Sequence, residues 1–76
     1  MLTPQQVIDD YYLEARYMAL EIAALFDRYD AAVSSCDGPA EEDGKLKHLR
    51  RAMTHLAFGD TSSPRTEVLL ELFAAP

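Results

Sequence analysis

The sequence predicts an all-α fold: one long N-terminal helix plus two short helices, assembling as a dimeric helical bundle. Three observations carry that prediction. Apolar residues in the first half recur at alternating spacings of three and four without a break. Gly and Pro fall at or near the ends of three helical stretches, over about 4–35, 43–58 and 64–74. The middle of the long stretch is apolar on every side, which one short chain cannot cover by itself.

The first stretch opens on Thr3, a good N-cap, followed by Pro4 at a first helical position, where its missing N–H costs nothing. Gln6 stands three residues after Thr3, the spacing of a capping box. From there Ile8, Tyr11, Ala15, Met18, Ile22, Leu25, Tyr29 and Ala32 trace a heptad seam of a and d positions. Tyr12, Ala19, Phe26 and Val33 occupy the adjoining e positions and widen the stripe. No Gly or internal Pro interrupts residues 5–35, and Asp37-Gly38-Pro39 then stops the helix, with Gly38 available for a left-handed cap.

An acidic connection follows, and Glu41, Glu42 and Asp43 suit the start of a second helix because carboxylates favour the positive end of the helix dipole. Leu46, Leu49, Met53 and Leu56 form its apolar stripe, with Ala52 and Ala57 beside it and Gly59 as terminator. In Thr61-Ser62-Ser63-Pro64, Ser63 is the expected cap and Pro64 the expected first residue of a third helix. That helix presents Val68, Leu69, Leu72 and Phe73.

With 76 residues the chain is read as a single helical domain, 1–76, near the lower size limit for an independent core. One cysteine, Cys36, excludes an internal disulfide, and it sits where a helix C-terminus raises rather than lowers a thiol pKa. A net charge of −6 argues against a nucleic-acid partner. The N-terminal residues lack the basic and apolar regions of a signal peptide, and the longest apolar run, Tyr17 to Phe26, is half a bilayer deep and contains Glu21. No membrane partner and a cytoplasmic location are therefore expected, and no cofactor is indicated.

Helix lengths lead to the assembly. At 1.5 Å per residue the long helix spans roughly 46 Å and the short ones about 21 and 16 Å. Laid end to end, the short helices match the long one and are expected to return along it, covering its a/d/e seam as the core of the chain. The opposite side stays apolar: nine of the ten residues from Tyr17 to Phe26 are hydrophobic. A homodimer whose long helices cross at Leu13, Tyr17, Leu20, Ala23 and Ala24 would cover it, the small side chains allowing close approach. The four tyrosines, Tyr11, Tyr12, Tyr17 and Tyr29, suit an interface that is part apolar and part wet.

Few side chains suggest chemistry. Glu21 is a lone acid in the apolar run; it is a candidate acid–base group or metal ligand, or an exposed or ion-paired residue. Glu14 lies seven residues before it, and His48 and His55 are likewise seven apart, so a two-His, two-carboxylate site is geometrically conceivable. Neither histidine has an acid three positions earlier, as carboxylate-bridged metal bundles require. Lys45, Lys47, Arg50 and Arg51 make the second helix locally basic without interleaved aromatics, the pattern of a solvated face. The reading is a small, acidic, non-catalytic helical module for protein–protein interaction, acting as a homodimer that binds another protein through a remaining groove or its acidic surface; the alternative is a small enzyme or metal-binding bundle centred on Glu21, with His48 and His55.

Overall fold

The computed structural model describes residues 1–36 and 38–75. It is all-α: α1 runs Pro4–Ser35, α2 Gly44–Phe58 and α3 Arg65–Ala74, with no strand among the described residues. Residues Met1–Pro39 form one compact unit and Ala40–Pro76 a second.

In the first unit the N-terminal signal is realised in full. The Thr3 hydroxyl accepts the Gln6 backbone N–H at 3.1 Å, and the Gln6 side chain accepts the Thr3 N–H at 2.9 Å. The pair satisfies two donors at the helix start. Gln5 adds a side-chain bond to Asp9 across one turn, at 3.0 Å. Thirty-two residues then run without interruption, about 48 Å of helix. At the far end the Cys36 N–H donates to the Ala32 carbonyl (2.9 Å) and the Gly38 N–H to that of Val33 (3.2 Å). Gly38 has φ +111°, a region that side chains with a Cβ rarely enter, so the expected left-handed glycine is present. Asp37, part of the expected terminator, lies outside the described residues, as does Pro76.

The second unit is a helical hairpin in which α2 packs on α3. Ala52 is fully buried, and Leu46, Leu49 and Met53 of α2 and Val68, Leu69 and Leu72 of α3 are half-buried. Among the described residues Ala52 is the only one wholly removed from solvent. Two residues of the expected stripes, Leu56 and Phe73, are exposed.

Both starts in this unit differ from expectation. Asp43 caps α2 without a side-chain hydrogen bond; its backbone carbonyl takes the Lys47 N–H at 3.0 Å, and its carboxylate pairs with the Lys47 ammonium at 3.4 Å. Pro64 is the N-cap of α3 rather than its first helical residue. Its backbone is extended (ψ 135°), and its carbonyl takes the Val68 N–H at 3.2 Å. Ser63 does not cap. The loop is fastened instead by Asp60, whose carboxylate accepts the Ser62 N–H at 3.0 Å and the Ser62 hydroxyl at 2.6 Å.

Those two bonds, with a smaller contribution from the nearby His55, hold the Asp60 carboxyl below the ordinary aspartate pKa. Their contribution to the loop is thus present above the ordinary carboxylate range and lost as pH falls through the lowered value. Ser62→Ala is expected to move the Asp60 titration midpoint upward in a carboxyl-carbon NMR titration; an unchanged midpoint would contradict the assignment. For α1, Thr3→Ala is expected to cost about 1 kcal/mol at the first turn. Hydrogen exchange should then accelerate at residues 5–8 and stay unchanged near residue 25.

Candidate functional site

A helix exposes chemistry by turning it outward, and α1 turns almost everything outward. Every residue from Met1 to Glu21 is exposed. The seam of a, d and e positions, expected to form the chain's own core, is uncovered over its N-terminal half: Ile8, Tyr11, Tyr12 and Met18 each keep more than half of their accessible surface. Further along, Leu25 is exposed, and Ile22, Phe26, Tyr29 and Val33 are half-buried. The outer face behaves alike. Leu13 is 71% exposed, Tyr17 66% and Leu20 54%; Ala23 is exposed and Ala24 half-buried.

The side chains leave indentations along this surface. Val7, Ile8, Tyr11, Tyr12 and Ala15 surround an open hollow of about 270 Å³ on the seam. It exists because Ala15 is short where its neighbours are long. Leu13, Glu14, Tyr17 and Met18 line another of about 420 Å³ on an adjoining face. Both are shallow, open and almost wholly apolar.

The titratable candidates are arranged differently. Glu14 and Glu21 are exposed on α1, and nothing in their surroundings buries them. Glu21 is therefore a solvated acid in an apolar run, which water can satisfy. His48 and His55 are half-buried on α2. Among the described residues no group of three or more His, Cys, Asp or Glu is placed to hold a metal ion. Cys36 is an exposed free thiol.

One feature of α2 was not foreseen. His55 lies over Gly59, the last cap of its own helix; a Cβ on Gly59 would meet the His55 ring and come within 2.6 Å of the His55 carbonyl oxygen. The His55 Nε2 is shut away from solvent without a hydrogen-bond partner. Gly59 itself is extended, with φ −69° and ψ 157°, so its need for glycine is one of space and not of backbone conformation. The i, i+4 spacing of His and a terminal Gly is the sequence signal that could have suggested it. Arg50, Arg51, Thr54 and Phe58 complete an open groove of about 420 Å³ around this pair, and Phe58 is 86% exposed. The other cations of α2, Lys45 and Lys47, are exposed too.

Neither a scan against protein-family models nor searches of the curated proteins and the solved structures gave a match. No helix of the described residues is long and apolar enough to cross a membrane.

Gly59→Ala is expected to destabilise the α2–α3 hairpin by roughly 1–3 kcal/mol, since the new methyl displaces either the His55 ring or the helix end. The double variant Gly59→Ala/His55→Ala removes the ring but not the clash with the carbonyl. Thermal unfolding should show partial recovery; complete recovery would place the whole conflict in the ring.

Proposed function

We propose that this protein is a non-catalytic helical interaction module that acts as a homodimer, with α1 as the associating element. The observation that carries the reading is the exposure of Ile8, Tyr11, Tyr12, Leu13, Tyr17, Met18 and Leu20 on one uninterrupted helix. Isolated apolar residues on a surface are ordinary, but contiguous ones mark a place of association. Here they are contiguous through three turns and reach round the helix.

Size supports the same reading. A chain of 76 residues that fully buries only Ala52 among its described residues gains little from its own core. Pairing two copies of α1 supplies the missing interior. The exposed parts of Ile8, Tyr11, Tyr12, Met18 and Leu25 amount to about 600 Å² per chain, taking a whole aromatic side chain as roughly 150–250 Å². Across a twofold contact this gives about 1,200 Å², the lower bound for a specific interface. The tyrosines fit such a contact, since their hydroxyls reach water from its rim.

Sedimentation equilibrium at micromolar concentration tests the reading. The expected mass is twice 8.5 kDa, with Met18→Glu shifting the protein toward the single chain while far-UV circular dichroism at high concentration still reports helix. A mass of 8.5 kDa at every concentration overturns it.

A further inference from the structure

We infer that the two copies of α1 pair antiparallel along the a/d/e seam, with the twofold axis beside Ala19 and with Glu14 of each copy facing Arg28 of the other. This rests on the homodimer reading and specifies its contact, which moves from Leu13, Tyr17 and Leu20 to the heptad seam.

Two seams of α1 present apolar residues to a second copy, and their ends distinguish them. The outer one, Leu13, Tyr17, Leu20 and Ala24, is bounded in the same row by Asp10 and Asp27. Antiparallel pairing on it sets Asp10 against Asp27 at both ends, and parallel pairing sets each against itself. Either way like charges meet. The heptad seam runs from Ile8 to Val33 with no charged residue at any a, d or e position. It is also the longer of the two.

Direction follows from side-chain size and charge together. In an antiparallel pair an a position faces a d position of the other copy. In the register where facing a and d residues have numbers adding to 40 (e residues to 38 and g residues to 42), Ala15 meets Leu25, Ala32 meets Ile8, Met18 meets Ile22 and Tyr11 meets Tyr29. Each alanine of the a and d rows thus faces a large aliphatic residue, and the e row sets Tyr12 against Phe26 and Ala19 against itself, where the helices come closest. A parallel pair instead sets Ala15 on Ala15 and Ala32 on Ala32, leaving two thin layers.

The g row carries Glu14, Glu21 and Arg28. In that register it gives two Glu14–Arg28 attractions, against one Glu21–Glu21 contact at the axis where both acids are exposed. Sliding by one heptad toward the N-termini sets Glu14 on Glu21 twice. Sliding the other way strands Ile8 and Tyr11, which are among the exposed members of the seam. Parallel pairing matches the g row with the uncharged e row and makes no ion pair at all.

A charge exchange tests this. Glu14→Arg and Arg28→Glu, taken singly, are each expected to weaken the dimer about ten-fold, because each turns two attractive pairs into like pairs. The double variant Glu14→Arg/Arg28→Glu is expected to return within about three-fold of the original dissociation constant, the two sites being too far apart on one helix to compensate within it. A double variant no tighter than the weaker single one, in a protein that is otherwise dimeric, overturns the antiparallel register and leaves the homodimer standing. A single-chain mass for the unaltered protein overturns both. Disulfide trapping reads the same geometry without altering charge: in a Cys36→Ser background, Ala15→Cys and Leu25→Cys chains are mixed and oxidised. The cross-linked product should join the two kinds of chain, and dominance of Ala15→Cys chains joined to each other would establish the parallel arrangement instead.

Discussion

A single α-helix has no inside, and that constraint governs this molecule. α1 takes 32 of the 76 residues and satisfies its backbone hydrogen bonds without help, yet it provides no interior for the side chains it carries. Its apolar residues lie along a cylinder, and a cylinder can be dried only by other elements laid against it. The second unit gives a measure of how little interior a short hairpin makes: α2 on α3 fully buries an alanine and half-covers leucines, valine and methionine. The apolar spacing that makes the helix is the same spacing that makes its seam.

Much of the fold was legible in the sequence. Thr3, Pro4 and Gln6 announce the start of α1 because capping is local chemistry, settled within one turn. Gly38 and Gly59 mark helix ends for the same reason, although only Gly38 uses a positive φ. The third helix begins one residue later than expected: Pro64 stands before it as an extended N-cap, and the Asp60–Ser62 turn fastens the loop in place of Ser63. Burial was harder to read. Heptad spacing reveals that a face wants cover, but not which chain supplies it; so Ile8, Tyr11 and Met18 were read as core and are exposed. Nor does spacing reveal that the ring of His55 leans over Gly59, a contact that depends on the absence of a side chain.

Charge is divided as sharply as burial. α1 carries six carboxylates and two arginines, whereas α2 has Lys45, Lys47, Arg50 and Arg51 and no acid. The first turn of α1 holds no acid and its last turn no base, so the helix dipole there is answered by hydrogen bonds at Thr3, Cys36 and Gly38 and not by charged side chains. The charges of α1 are accordingly free to serve its flanks. Glu14 and Arg28 stand on the same row, two heptads apart, with Glu21 midway.

The distribution of aromatic residues also decides how the molecule can be watched. Tyr11, Tyr12, Tyr17 and Tyr29 all belong to α1, the remaining aromatics are phenylalanines, and tryptophan is absent. Tyrosine absorption and emission therefore report on the long helix, while the hairpin of α2 and α3 contributes only the weak phenylalanine bands of Phe58 and Phe73. Events at the rod can thus be followed through tyrosine in the native chain, with no label added.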